Sequence, residues 1–345
     1  MARSSIGLDV GTKAVSFAEV RYGGGKPTVT RFGRALLPAG AVEHGEVQDP
    51  TAVASAISGL WKELGLRSRS VHVGVANRHC VVRVVELPVM SGDDLESAIR
   101  FQAQEHIPIP LDEAVMDFEV LEEFDGPDGQ KLQRVLVVAA ERATIDPLLQ
   151  ALSAAHLEPQ TLELNAYPLV RCFNGYTSAG AHAIVDVGGG ITNVVVHQAG
   201  RIRFTRILPN FGGDEITSAI AESLGVSRDE AEKLKRTASN GSGSPATAVI
   251  EPLLDRFVNE VRGSIDFFVG QPNAPHLEGV VLTGGGSLIE GLAERLNAAL
   301  GVPVEHGHAF AHVPVDRDDV TKREMSIAEP FLGVAVGLAL AENGG

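Results

Sequence analysis

Apolar and polar positions along the 345-residue chain change period several times, and each change marks an element. Residues 6–10 (IGLDV) read as a strand, 14–22 (AVSFAEVRY) as a second strand returning after a Gly11-Thr12-Lys13 turn, and 27–38 (PTVTRFGRALLP) as a third. The period then becomes helical over 49–66, where Val53, Ile57, Leu60 and Leu64 share one face with Trp61, which is read as core. Asp49 is placed to cap that helix and Pro50 to occupy its first turn. Residues 71–76 (VHVGVA) form a short buried strand. Residues 77–157 then interrupt the pattern as a unit of their own. It holds a strand (VVRVVELP), an amphipathic helix ending at Pro108, a hairpin of the segments around 115–123 and 132–140 across a DGPDG turn, and a helix ATIDPLLQALSAAHL. QTLEL, residues 160–164, returns as a strand to the first unit.

The second half repeats the first. AIVDVGGG aligns with IGLDVG so that Asp186 matches Asp9, Val187 matches Val10 and Gly188 matches Gly11; farther on, RFTRILP (203–209) resembles RFGRALLP (31–38). A helical region follows over 214–270, with a linker-like loop RTASNGSGSPAT at 236–247. HLEGVVLTGGGSLIEGLAERLNAAL then gives a strand, a glycine turn and a helix. Repeat and insertion divide the chain into 1–76 with 158–180, an inserted 77–157, 181–213 with 275–345, and 214–274. The fold class expected is α/β, a duplicated two-domain arrangement.

Composition narrows the function. A hydrophobic content of 44% with 21% charged residues describes a globular chain. A net charge of −15 argues against nucleic acid as partner and against a basic membrane-binding face. The start, MARSSIGLDVG, lacks the apolar stretch of a signal peptide. The late apolar run FLGVAVGLALA, residues 331–341, is too short to span a bilayer. Cys80 and Cys172 stand apart, which suits a reducing compartment better than a disulfide framework.

Three consecutive glycines between two strands need a reason, because glycine weakens a strand. A hairpin turn is the plain one. The other is backbone that must approach a ligand closely. Two Asp-Val-Gly hairpins facing each other could hold a phosphate chain from both sides, with Asp9 and Asp186 near Mg²⁺, a hard cation that prefers oxygen. Gly284, Gly285 and Gly286 would add a flat surface for a nucleoside. Other clusters read as structure: HGHAFAH (306–312) as a polar loop rather than a metal site, VTKREMS (320–326) as a solvated loop, and His79 with Cys80 as no thiol catalyst.

The ordered set of motifs resembles the actin-like ATPase superfamily, whose fold is ribonuclease H-like, over nearly the whole chain. IGLDVGT is similar to its first phosphate loop, IVDVGGGITNVVV to the second, VVLTGGGS to the adenosine motif and AEPFLGVAVGLAL to the last hinge helix. That resemblance implies bound ATP and Mg²⁺. Asp9 and Asp186 would act through the metal, as its ligands and as the catalytic acids. Gly11, Thr12 and Lys13 would cradle the phosphates on one side and Gly188, Gly189, Gly190 and Thr192 on the other. Glu232 and Lys235, in EAEKLK, would flank adenosine with Gly284, Gly285, Gly286 and Ser287. The insertion after VHVGVA, rather than after RALLP, matches the FtsA and PilM branch, in which it is called subdomain 1C; the flanking parts become 1A (1–76, 158–180), 2A (181–213, 275–345) and 2B (214–274). No amphipathic tail follows the last helix before ENGG, so the chain resembles the PilM family of type IV pilus assembly proteins more than FtsA.

The resemblance implies a cytoplasmic adaptor at the inner-membrane platform. It would bind the N-terminal cytoplasmic tail of PilN in a nucleotide-sensitive way through a groove of 1C around residues 77–120. Contact with other platform proteins or assembly ATPases and self-association stay open. Membrane contact would be indirect, through the partner. An FtsA-like division tether and a small-molecule kinase of the same superfamily are the alternatives. PilM-like proteins often carry a lysine near the place of Ser16; either Lys13 substitutes or the phosphate contacts are weaker. Asn165 and Glu163 stand near the crossover where a water-activating group belongs, and hydrolysis is expected to be slow or absent.

Overall fold

The structure is a computed structural model that describes residues 3–23, 25–90, 92–175, 180–238, 243–272, 274–316 and 321–341, with backbone only at 103–106. The middle of the expected linker, 239–242, and the final ENGG lie outside the described residues. Two five-stranded mixed sheets dominate. In the first, strand Arg3–Val10 pairs antiparallel with Ala14–Tyr22, which pairs with Thr28–Leu36; on its other side it runs parallel to Ser70–Val75, followed by Glu158–Leu164. The second repeats this order. Ala181–Val187 lies beside Ile191–Gln198 and then Arg201–Pro209 on one side, and beside parallel Leu277–Thr283 and Val304–His306 on the other.

Both repeats close their first hairpin with the same hydrogen bond. Gly11 N–H donates to the Ala14 carbonyl at 3.0 Å, and Gly188 N–H to the Ile191 carbonyl at 2.9 Å. Asp9 pairs with Ser16 and Asp186 with Asn193, so the repeat holds to the residue across the hairpin. It slips at the third strand. Ser16 faces Arg34, whereas Asn193 faces Ile207, so Arg34 occupies the place of Ile207 and not of Arg206 as the matching letters suggest. The ladders are interrupted at Glu19/Val20 in one repeat and Val196/His197 in the other, each by a bulge or irregularity.

The outer face of the first sheet is covered by helices Pro50–Glu63 and Arg142–Ala154, around Leu8, Phe17, Ile57, Trp61 and Leu152. The Asp49 carboxylate accepts from the Thr51 and Ala52 amides at 3.0 Å, the cap expected from sequence. Trp61 is buried and donates Nε1–H to the Ser68 carbonyl at 3.0 Å. The second sheet carries the helices Gly213–Leu224, Arg228–Thr237 and Pro245–Val269. Strands Val81–Pro88, Ala114–Asp125 and Lys131–Glu141 with helix Asp93–His106 make a separate three-stranded unit around Leu87, Leu95, Ile99, Val135 and Val137. The segment 320–326 departs from its reading as a loop: Lys322–Ala328 is a helix, begun by a capping box in which Thr321 and Glu324 satisfy each other's backbone amides. The T-x-x-E spacing is a legible signature of that cap.

Between the inner faces of the two large sheets lie helices Ala166–Phe173 and Gly333–Ala339, in one core that draws Ala18 and Val20 from the first sheet and Ile184, Val195 and Val281 from the second. Their approach depends on missing side chains. A Cβ on Gly337 would overlap the Pro168 carbonyl, and one on Gly7 would overlap the Ala335 carbonyl. Gly337→Ala is therefore expected to lower unfolding free energy by about 1–3 kcal/mol in urea titrations, the usual cost of overpacking. Gly59→Ala, in a helix with nothing within 4 Å of the new methyl, is expected to stabilise by up to ~1 kcal/mol. Equal responses of the two variants would contradict the packing assignment.

Candidate functional site

The two glycine hairpins meet face to face. A Cβ on Gly189 would lie 3.1 Å from Lys13 Cγ, and one on Gly190 would lie 2.7 Å from Thr12 Oγ1. A Cβ on Gly188 would lie 2.8 Å from the Ile191 oxygen inside its own turn. Each glycine of the triplet thus has its own reason: the first closes the hairpin, and the next two admit the opposing loop. The second loop is fixed from behind, because its Gly188 and Gly189 carbonyls accept the Gly213 and Asp214 amides at 3.0 and 2.8 Å, at the start of helix Gly213–Leu224. Lys13 reaches across and forms an ion pair with Asp214, joining the halves.

Asp9 and Asp186 line one cleft, of about 660 Å³ of empty space, with Gly11, Thr12, Gly188, Gly189 and Asn193. Its other wall comes from Gly74 to Asn77, Thr144 and Asn165. Burial raises the Asp9 carboxyl to about 7, helped by the nearby Asp186 and opposed by Arg34. Burial raises Asp186 to about 6, opposed by the hydrogen bond from Asn193 Nδ2 at 3.1 Å. Two carboxylates brought together out of water are poised for a divalent cation, which reverses the penalty of charging both. Polar capacity is also left over at the site: Asn165 Oδ1, in the cleft wall, has no hydrogen-bond partner. A polar ligand with a hard cation fits this donor set.

The other expected residues divide. Gly284, at φ 84°, brings backbone to Asp186: a Cβ there would lie 2.7 Å from Asp186 Oδ1. The flat surface of Gly285 is taken by the Phe331 ring, and Gly286 packs on Val187. Ser287 is buried and its hydroxyl donates to the Gly284 carbonyl at 2.7 Å, so it holds the turn. Thr192 lies outside the cleft lining, fully buried, donating to the Phe211 carbonyl at 2.6 Å; strand alternation sends it to the face opposite Asn193. Glu232 and Lys235 are not a solvated charged face. The Lys235 side chain is 11% exposed against 75% for Lys233, and its ammonium donates to the Gly213 carbonyl, Thr217 and Glu232 at 2.7–2.9 Å. Glu163 is paired with Arg171, which leaves Asn165 as the group of that crossover that faces the cleft.

Sequence reasoning missed Arg34, Asn193 and Asn77. The cross-strand position of Asn193 next to Asp186 was readable from the hairpin; Asn77, buried and bonded to Thr144 at 3.3 Å, carries no local signal. Cys80 is pushed up to about 11 by burial, so it stays a thiol. Among the described residues no group of three or more His, Cys, Asp or Glu side chains could hold a metal, the 306–312 histidines included.

Comparison with known proteins gives the family and the fold. The family of type IV pilus assembly protein PilM matches residues 7–343. The solved PilM-PilN type IV pilus biogenesis complex superposes with a TM-score of 0.87 at 29% identity, covering 97% of both chains. The cell division protein FtsA of Neisseria meningitidis serogroup B is 25% identical over 96% of this chain and 88% of its own length, and that of Streptococcus pneumoniae serotype 2 is 24% identical over 91% and 79%. MreB5 of Spiroplasma citri bound to ADP, at 12% identity and a TM-score of 0.51 over 97% and 94% of the chains, shares the fold. The fold is actin-like.

Because both cleft acids are raised above their ordinary value near 4, the stability they give the ligand-free protein is full below pH 4 and is lost as pH climbs through 6 and 7. Asp9→Asn is expected to recover roughly 1–3 kcal/mol at pH 8 relative to pH 5, read from urea midpoints without nucleotide. A variant whose stability tracks the parent at both pH values would show that the carboxylates are not held together.

Proposed function

The chain belongs to the PilM family of type IV pilus assembly proteins, and from that premise we propose that it is an ATP-binding adaptor of the pilus assembly platform whose grip on the PilN tail depends on nucleotide. The observation that carries the reading is the likeness over 97% of both chains to the PilM-PilN complex, joined to the apposed glycine loops. In this reading 77–157 is subdomain 1C, set against 1A, 2A and 2B as divided above, and the PilN tail lies in its groove. The glycine loops cradle the phosphates. Asp9 and Asp186 would hold Mg²⁺ through water, and the metal would offset phosphate charge. Glu232 and Lys235 brace the adenosine side. Among the described residues lining the cleft the only acids are Asp9 and Asp186, and Asn77 and Asn165 are amides that orient water without removing its proton, so turnover is slow. Membrane attachment runs through PilN; among the described residues no helix is long and apolar enough to cross a membrane.

Nucleotide sensitivity has a mechanical route. Glu122, on the inserted sheet, accepts from Arg203 of the second half at 2.9 Å and also from Arg134 of its own sheet, which in turn holds Glu86 at 2.8 Å. These cations keep the Glu122 carboxyl below its ordinary range against the opposing effect of burial. A movement of one half against the other across the nucleotide therefore pulls on the inserted unit. Affinity for a synthetic PilN N-terminal peptide is expected to differ about fivefold or more with and without Mg-ATP, within the usual range of coupling. Glu122→Gln should bring the two values together while leaving Mg-ATP affinity intact. Equal peptide affinities in the unaltered protein would remove the switch.

A further inference from the structure

Arg34, whose charge acts on the cleft acid Asp9, is a group that the reading above leaves without work. It extends the row Asp9–Ser16–Arg34 across three neighbouring strands, so all three side chains leave the same inner face of the sheet. Its guanidinium lies 3.7 Å from the centre of the Phe331 ring, and that ring packs on Gly285 of the third glycine turn. From Gly285 the chain passes to Gly284, which abuts Asp186, whose charge is felt by Asp9. Asp9, Ser16, Arg34, Phe331, Gly285, Gly284 and Asp186 thus form a ring that joins the two cleft acids past the third glycine turn, Asp9 and Asp186 being the members that line the cleft. Arg34 is the cation of that ring. Its Nε is buried and has no hydrogen-bond partner, while the other half carries Ile207 at the matching place.

A guanidinium clamped on an aromatic face is pre-set: the stack holds its plane and leaves its edge, where the donors are, free to meet a ligand. Arg236, itself paired with Glu232, lies close enough to oppose its charge, and among the cations here Lys13 and Lys235 are held by Asp214 and Glu232. Like charges are brought together at a cost that a polyanion relieves. The two carboxylates on the far side of the ring exclude a bare anion, whereas an anion that brings its own divalent cation satisfies both sides.

We propose that Arg34, held by Phe331, is the contact from the first half of the chain to the phosphate chain of the bound nucleotide, at the phosphates that a nucleoside diphosphate and triphosphate have in common. The assignment rests on the nucleotide reading and adds to it a residue from outside the glycine loops. In the nucleotide reading the third glycine turn belongs to the nucleoside half of the site, and Arg34, stacked on the ring that covers Gly285, is therefore assigned to the shared phosphates rather than the terminal one.

Calorimetric titration of the full chain with Mg-ATP and Mg-ADP tests it. Arg34→Gln should weaken both nucleotides tenfold or more and by similar factors, since a charge-assisted hydrogen bond common to both is lost. Arg34→Lys, which keeps charge but loses the planar stack, should fall between, and thermal unfolding without nucleotide should show each variant folded. Arg34→Gln within twofold of the parent for both nucleotides overturns the assignment and leaves the nucleotide reading standing, as does a loss confined to Mg-ATP. A parent chain that binds neither nucleotide overturns the nucleotide reading and this assignment with it.

Discussion

The halves of this fold meet where glycine lets a neighbouring chain segment, side chain or backbone, come closer than a Cβ would allow. Gly189 and Gly190 admit Thr12 and Lys13 at the front of the cleft, Gly284 admits Asp186 at its side, and Gly7 and Gly337 let the central helix settle on the first sheet and on its partner helix. These contacts join the two halves or fix what lies between them. Close packing at such points resists small displacements, so the halves move as bodies rather than by local give. A cleft built in this way puts one carboxylate on each half, Asp9 on the first sheet and Asp186 on the second, so their spacing follows how the halves sit.

Electrostatics supplies the complementary half. Each repeat puts an aspartate at the end of its first strand, and duplication alone would set two negative charges face to face. The symmetry is broken where it matters. Asn193 donates to Asp186 where Ser16 faces Asp9, and Arg34 stands where the second repeat has Ile207. The carboxylates differ accordingly: Asp9 rises to about 7 and Asp186 to about 6, both by burial, with only Asp9 eased by a cation. A duplicated scaffold with unlike decoration is what a cleft needs if its ligand, as a nucleotide does, has two unlike ends.

Much of this was legible in the residues. The hairpins, the third glycine turn and the Asp49 cap follow from period-2 and helical spacing with well-placed Gly, Asp and Pro, whereas helix Arg142–Ala154, read with the inserted unit, packs on the first sheet. What was not legible depends on register and burial. The RFGR and RFTR letters align by identity yet sit one position apart in the ladders, because register is set by pairing from the hairpin (Ala14 with Leu36, Ile191 with Pro209) and not by matching letters. Thr192 was grouped with the phosphate loop by adjacency, but alternation turns it to the other face, toward Phe211. Ser287 looked like a ligand hydroxyl and instead ties its own turn. The opposite error affected 320–326, where a capping box was present in the letters and a solvated loop was assumed. Arg34 was passed over because a lone arginine in a strand carries no local signal; only the cross-strand neighbour Ser16 places it beside Asp9.

The inserted unit shows how a site and a remote surface come to share one mechanical frame. Its three strands have their own core, so it keeps its shape as the chain around it moves. It joins the first half covalently on both sides, yet its Glu122 is bonded to Arg203 on the third strand of the second half. That strand is hydrogen-bonded to Ile191–Gln198, the strand that leaves the Gly188–Gly190 loop. A rotation of the second half about the central helices must therefore either break the Glu122–Arg203 bond or carry the inserted sheet along. Breaking it would leave a partly buried arginine whose Nε already lacks a partner. Arg203 would keep Gln198 and Glu122 would keep Arg134, so the cross-link sets a route for motion without being the whole of either group's bonding. The ion pair is thus better placed to transmit motion than to lend stability, and it connects the strand that leads from the glycine loop to the inserted sheet.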